Sequence, residues 1–272
     1  MKPARFDYVR ADAADEAQAL LAQHGSDARI LAGGQSLVAM LNMRLAQPAV
    51  LVDISRSAEL AYLRVDDGHL AIGAATTQSA LEAFADLHDR VPLAALALPW
   101  IAHVQIRNKG TVCGSIAHAD PSAELPLILV ALGGEVVLAK ASARRRVAAH
   151  DFFRGMLQTA CGADEMIVEA RLPLRASGSG YAFHEVALRQ GDFALVALAA
   201  VATADTLSLA VGGVADRPVV RQWSGLDDND LEDALNDFAW TLDAQDDAHA
   251  SARYRRHLVR VLGRRTLREA RA

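Results

Sequence analysis

At 272 residues the chain is long enough to bury a full core and to divide into two or three subdomains. Its 52% apolar content is that of a globular protein, and its net charge of −5 leaves no electrostatic footprint for nucleic acid. The longest apolar run, residues 193–204, falls short of the roughly 20 residues a membrane span requires.

The charged N-terminal stretch (Lys2, Arg5, Asp7, Arg10) lacks an apolar signal region, so a cytoplasmic location is expected. Asp12 is placed to cap a helix over residues 13–24. Residues 29–32 then read as a strand, 36–45 as a helix with Ser36 at its cap, and 49–54 as a strand, a compact βαβ unit. Leu63-Arg64-Val65 and His69-Leu70-Ala71-Ile72 flank Asp66-Asp67-Gly68 and predict a hairpin. Thr77 caps a predicted helix reaching to residue 87, and further helices are expected at 92–103 and 121–132. Strands are predicted at 135–139 and 166–172. Ser177-Gly178-Ser179-Gly180 is the strongest linker signal and marks a boundary near residue 176. Beyond it, strands are predicted at 181–188 and 207–212, with the apolar run 193–204 between them, and helices at 230–242 and 248–270. The last helix carries seven arginines, with Arg271 directly after it, and a Tyr254, Leu258, Val261 and Leu262 stripe at helical spacing, which reads as a surface helix with a solvated basic face. A docking surface for an acidic partner is the other reading of that face.

Two glycine-rich segments stand about 75 positions apart. The first is Ala32-Gly33-Gly34-Gln35-Ser36-Leu37, between a predicted strand and a predicted helix. The second is Asn108-Lys109-Gly110-Thr111-Val112-Cys113-Gly114-Ser115. Glycine allows close backbone approach to a ligand, and exposed N–H groups in such turns suit a diphosphate. A pair of them implies one elongated phosphate-bearing cofactor held from two sides. Either loop alone also reads as an ordinary turn. No Gly-x-Gly-x-x-Gly follows a strand and no Gly-x-x-x-x-Gly-Lys-[Ser/Thr] is present, so dinucleotide Rossmann and P-loop sites lack their fingerprints. The nine histidines show no His-x-x-x-His pair, and there is no Gly-x-Ser-x-Gly elbow, so neither a zinc site nor a serine triad is indicated, and no catalytic residue is assigned. Cys113 and Cys161 are the only cysteines, too few for a four-thiolate iron–sulfur cluster; Cys113 reads as a small loop residue and Cys161 as a buried structural one.

The Ala32–Leu37 motif, the run Ile106-Arg107-Asn108-Lys109-Gly110-Thr111 and the run Ala119-Asp120-Pro121-Ser122-Ala123-Glu124-Leu125-Pro126 resemble the FAD-binding medium subunit of molybdenum hydroxylases, of the carbon monoxide, xanthine and nicotine dehydrogenase types. Ile72-Gly73-Ala74-Ala75-Thr76-Thr77, Asp151-Phe152-Phe153-Arg154-Gly155 and Arg189-Gln190-Gly191-Asp192-Phe193-Ala194 extend the resemblance over nearly the whole chain. It implies an α+β protein: a FAD-binding fold of the PCMH (vanillyl-alcohol-oxidase-like) type in two subdomains, residues 1–56 and 57–175. A C-terminal domain, 176–272, would resemble the carbon monoxide dehydrogenase flavoprotein C-terminal domain.

The resemblance further implies an oxidoreductase subunit that binds FAD. A large partner would carry the molybdopterin cofactor and oxidise the substrate, a small partner would carry two [2Fe–2S] clusters, and the assembly would be a dimer of heterotrimers. By residue, it implies diphosphate binding at Ala32, Gly33, Gly34, Gln35, Ser36 and Leu37, and closure from the other side by Thr111, Gly114 and Ser115. It also implies packing on the cofactor by Ile101, a polar contact from His118, sugar-hydroxyl recognition by Glu124, and His184 near the flavin. Glu124 reads equally as a first-turn helix charge, and His184 as an ordinary strand residue. Cys113, Ser115 and Gln35 depart from residues frequent in the family but remain small or amide-bearing. A self-contained flavin oxidase and a scaffold that has lost its flavin are the competing expectations.

Overall fold

In the computed structural model, which describes residues 2–141 and 143–272, the chain builds three sheets and a short two-stranded ribbon. The first sheet comes from β1 (Asp7–Arg10), α1 (Ala14–His24), β2 (Ala28–Leu31), α2 (Leu37–Asn42) and β3 (Val50–Asp53). Its order is β1-β3-β2 and both pairings are parallel. All four residues of the central β3 are buried, as expected for a strand paired on both sides in a parallel sheet. The first glycine loop therefore leaves the carboxyl end of β2, the edge of a parallel sheet where ligands characteristically bind.

The next sheet is antiparallel, ordered β4-β5-β10-β6-β7. Its chain order is β4 (Leu63–Asp66), β5 (His69–Gly73), α3 (Gln78–Glu82), α4 (Leu87–Arg90), α5 (Pro92–Ala97), α6 (Val104–Arg107), α7 (Val112–His118), α8 (Glu124–Ala131), β6 (Glu135–Lys140), β7 (Ala143–Ala148) and α9 (Ala149–Phe152). The ribbon β8 (Phe153–Gly155) and β9 (Gln158–Thr159) and the long β10 (Met166–Pro173) complete it. Asp67 and Gly68 both have positive φ, the two-residue hairpin turn that Asp-Gly predicts. Helix α8 is buried along nearly its whole length, Glu124 to Val130. A helix apolar on every side must be covered on every side.

The cover is the last sheet, the antiparallel meander β11 (Gly180–Ala187), β12 (Ala194–Ala202), β13 (Thr206–Gly212) and β14 (Val219–Ser224). One face presents Phe183, Ala197, Ala199 and Ala210 to the core shared with α5 and α8. Gly212 makes the close approach there: a Cβ would lie 3.3 Å from the Pro121 carbonyl and 3.4 Å from Leu127. The other face presents Ala182, Leu198, Ala200 and Leu209 to α10 (Leu231–Thr241) and α11 (Ala252–Arg271).

Several expected elements are corrected. Asp12 is not a cap: Ala13 holds that position, and the freed N–H of Ala14 is taken by the Glu59 carboxylate instead. Ser36 stands at the start of α2 without a side-chain capping bond, and α2 has only 6 residues. The expected 92–103 and 121–132 helices are likewise shortened, because Leu98–Trp100 tightens into a 3-10 turn and residues 121–123 remain a turn. Strands β7 and β14 were not foreseen; each is a largely exposed edge strand with little apolar alternation.

Helix α11 is rotated from its expected stripe. Tyr254 and Val261 are exposed, while Arg255, Leu258, Val259, Gly263, Thr266, Leu267 and Ala270 are buried. Small residues permit that face to close, since a Cβ on Gly263 would sit 2.9 Å from Leu235. Nor is its basic face simply solvated: Arg268 and Arg271 pair with Asp228, and Arg264 with Glu232.

Candidate cofactor cleft

A cleft of about 1210 Å³ is lined by residues of all three sheets' loops. That exceeds the usual volume of a site for a compact small molecule and suits an extended cofactor. The residues it brings together include Ala32, Gly33, Gly34, Gln35, Ser36, Leu37, Ile101, Thr111, Gly114, Ser115, His118 and Glu124.

The loop after β2 forms one wall. Gly34 has φ of +72°, which turns the chain into α2, and Gln35 folds back so that its Nε2 donates to the Gly33 carbonyl at 3.1 Å. Within the described residues, no backbone carbonyl accepts from the N–H groups of Gly33, Gly34, Gln35 or Ser36. Unpaired amides on a cleft wall are what an anionic group requires.

The second glycine segment differs from its expected form. Rather than an open loop it is the helix α7, capped by Thr111, whose Oγ1 accepts from the Gly114 N–H at 3.0 Å. The N–H of Val112 is taken by the Thr76 carbonyl at 3.1 Å and that of Ser115 by the Thr111 carbonyl at 3.1 Å. Most of its amides are therefore engaged within the fold, and Thr111, Cys113, Gly114, Ser115, Ala117 and His118 border the cleft. Cys113 is buried within this wall, its thiol pushed up to about 12 by burial.

Glu124 is the first residue of α8 and is only 7% exposed. Its carboxyl has no side-chain hydrogen bond among the described residues, yet it borders the cleft. Burial, with a smaller contribution from Asp120, pushes it up to about 7. A buried carboxyl whose one protein partner is its own backbone N–H, bordering a cleft, fits a ligand that brings hydroxyl donors.

His184 is corrected. It does not line the cleft but faces α11, where its ring bonds Thr266 Oγ1 at 3.2 Å and pairs with Glu269. Burial lowers its affinity for a proton. Strand alternation puts the next residue, Glu185, on the opposite face.

Two parts of the lining were missed. Residues 158–167, following the unforeseen ribbon, contribute Thr159, Cys161 and Ile167. Cys161 is half-buried rather than buried. The segment between β11 and β12 contributes Leu188, Gly191, Asp192, Phe193, Ala194 and Leu195. Gly191 has φ of +85° there, and Phe193 is 70% exposed at the rim. The Arg189–Ala194 motif was the available signal for that wall. Behind it, Arg255 donates to the carbonyls of Leu195 at 2.7 Å and Gly213 at 2.5 Å, and pairs with Asp247.

Comparison with known proteins agrees with this architecture. The profile described as "FAD binding domain in molybdopterin dehydrogenase" matches residues 4–175, and that described as "CO dehydrogenase flavoprotein C-terminal domain" matches residues 181–270. The chain is 38% identical over 283 residues to the 6-hydroxypseudooxynicotine dehydrogenase complex subunit alpha of Paenarthrobacter nicotinovorans, covering 99% of this chain and 96% of that one. It is 40% identical over 201 residues to the carbon monoxide dehydrogenase medium chain of Hydrogenophaga pseudoflava, covering 74% and 70%. Among solved structures it superposes on a chain of the carbon monoxide dehydrogenase of Hydrogenophaga pseudoflava with a TM-score of 0.93 at 33% identity, over 99% of this chain and 98% of that one. A chain of quinoline 2-oxidoreductase from Pseudomonas putida 86 matches with a TM-score of 0.92 at 32% identity, over 100% and 98%. The chain thus belongs to the FAD-binding medium subunits of the molybdenum hydroxylases, a family of oxidoreductase flavoproteins.

Proposed function

We propose that this chain is the electron-transfer subunit of a molybdenum-containing dehydrogenase, receiving electrons from [2Fe–2S] clusters of a small partner and releasing them to an external acceptor. A large partner holding the molybdopterin cofactor oxidises the substrate, and the assembly is a dimer of heterotrimers in the cytoplasm. FAD, when bound, supplies the redox chemistry that links one-electron centres to the acceptor. The chain's own residues bind it, orient it and shield it from water. The free amides of residues 33–36 hold the diphosphate, with Ala32 and Leu37 flanking them. Gly114, Ser115 and His118 close the opposite wall, with Thr111 fixing that wall through its cap. Glu124 accepts the sugar hydroxyls, and Ile101 packs on the cofactor. Residues 1–56 and 57–175 act as the two halves of the FAD unit, and 176–272 as a buttress. No helix of the described residues is long and apolar enough to cross a membrane.

The observation that carries this reading is that the unpaired amide row at 33–36 and the buried Glu124 border one cleft. The test is an absorption spectrum of the purified chain, alone and co-expressed with its genomic neighbours, with the released flavin identified by chromatography. FAD at about one per chain, with added iron–sulfur absorbance on co-expression, is the expected result. Turnover of a substrate by the isolated chain would point to a self-contained oxidase, and absence of flavin in both preparations would remove the functional reading.

A further inference from the structure

Glu185 is only 7% exposed, and both carboxyl oxygens lie buried without any hydrogen-bond partner. Leaving a carboxyl in that state is costly unless it stays neutral or a bound group answers it. It sits on β11 opposite Ala197, which in turn pairs with Gly212, the residue packed against Pro121 and α8. This row leads from Glu185 to the segment that carries Glu124. The elements packed on β11 offer it no cation. Strand β12 and helix α5 carry no titratable side chain. On α11, Glu269 and Arg265 act on His184 on the far face, and Arg255 is turned to the Leu195 and Gly213 carbonyls. Glu124 is the charge that acts on Glu185, with Asp120 beyond it acting on Glu124.

We propose that Glu185 is a second carboxyl standing behind the cofactor cleft, a positioning residue that keeps one proton beside Glu124 and makes FAD retention fall in alkaline solution. The inference rests on the FAD reading above. With Glu185 neutral, Glu124 is free to ionise and accept hydroxyls. Once Glu185 ionises, a second negative charge stands beside Glu124 in a poorly solvated place, next to a cofactor that itself carries a diphosphate. Burial first, and then the Glu124 charge, push Glu185 up to about 8, which sets where the effect begins.

The test uses the full chain stripped of flavin and titrated with FAD by fluorescence at about pH 7 and about pH 9. One linked proton with a midpoint near 8 predicts roughly tenfold weaker binding at the higher pH. In Glu185→Gln the ratio of the two affinities is expected to be near one. A wild-type ratio near one, or a Glu185→Gln variant that keeps the alkaline loss, would overturn the proposal. Infrared spectroscopy of the wild-type chain gives a second readout that needs neither variant nor flavin. A protonated-carboxyl band present at neutral pH and lost as the pH passes about 8 supports the proposal, and its absence overturns it. A chain that binds no FAD at any pH but shows this band would sink the FAD reading while keeping the protonated Glu185.

Discussion

The main-chain carbonyl oxygen of Lys109 lies 2.2 Å from where a Cβ on Gly33 would stand, so the two glycine segments interlock through that missing side chain. The Gly110 Cα is 2.7 Å from the same point. Gly33 is therefore required first by loop-on-loop packing, and its amide is available to a ligand because the turn is held from behind. Gly34, with φ of +72°, is required by conformation instead.

Gly33→Ala is expected to destabilise the chain by about 1–3 kcal/mol, the usual range for overpacking against atoms that cannot move aside. Gly33→Val or Gly34→Val should abolish flavin binding. Gly25→Ala is the control: Gly25 also has positive φ, but nothing lies within 4 Å of its Cβ position. That variant should lose only about 1–2 kcal/mol of backbone strain energy and keep its FAD. Thermal unfolding together with flavin stoichiometry separates the two cases, and full FAD occupancy in Gly33→Val would remove the loop from the site.

Glu124 gives a pH dependence with a definite sign. In the flavin-free chain, burial holds it at about 7. Hydroxyl donors from a bound cofactor would favour the ionised form and lower that value. Binding then releases a proton, so FAD affinity rises with pH up to about 7, above which the alkaline loss linked to Glu185 takes over. Glu124→Gln should erase the rise and weaken binding by about 1.5–3 kcal/mol, the range for hydrogen bonds to a charged group. A fluorescence titration across this range decides it; an unchanged pH profile in Glu124→Gln would mean that the carboxyl does not meet the cofactor.

The two carboxyls also make a prediction for the stability of the flavin-free chain. Both start from about 4.5 and are raised in the folded state, Glu124 to about 7 and Glu185 to about 8. Between those values the unfolded chain holds fewer protons than the folded one. Their contribution is therefore fully present in acid and is lost as pH rises towards 8, with a slope of at most about 1.4 kcal/mol per pH unit for each group. Denaturant midpoints measured across that interval should fall less steeply in the Glu124→Gln, Glu185→Gln double variant. Parallel slopes would show that neither carboxyl is held neutral.

The sequence made most of the fold legible because its elements were locally encoded. Asp67-Gly68 specified its hairpin turn, Thr77 capped the helix it precedes, and the apolar residues of β3 announced a buried strand. What could not be read were properties set by tertiary packing. Tyr254 and Val261 have the spacing of a buried stripe, but Gly263 and Thr266 decide which face of α11 closes on the sheet. His184 and Glu185 are neighbours in sequence, and only the orientation of β11 determines which of them is turned to the Glu124 side. The amide row at 33–36 was legible as composition. Its interlock with Lys109 joins segments too distant in sequence to be inferred without the fold.

Arg255, on the border of the cleft, should be highly sensitive to substitution. Its guanidinium bonds the Leu195 and Gly213 carbonyls while paired with Asp247, joining α11 to the start of β12, where the cleft wall ends. Arg255→Met leaves the two carbonyls unanswered, and a buried acceptor left without its donor typically costs about 1–3 kcal/mol. Arg255→Lys should recover little, because a single ammonium cannot span the planar fork of acceptors. Both variants should lower the unfolding temperature and loosen FAD together, since the wall at 188–195 loses its anchor. Retention of wild-type FAD affinity in a destabilised Arg255→Met chain would show that this wall is held independently of α11.

The thiols offer a chemical test of the cleft. Burial raises Cys113 to about 12 and Cys161 to about 11, so neither is reactive by virtue of a lowered pKa. They differ in access: both border the cleft, but Cys113 on α7 is only 3% exposed with its thiol donating to the Ile72 carbonyl, whereas Cys161 is half-buried. At pH 8 about one part in a thousand of Cys161 is thiolate, which predicts slow alkylation of the native chain at Cys161 and none at Cys113. A cofactor occupying the cleft covers Cys161, so added FAD should slow the reaction further. Mass spectrometry of the alkylated chain reads both sites at once. Equal labelling with and without FAD would place residues 158–167 outside the bound cofactor's reach, and labelling at Cys113 would mean that α7 opens in solution.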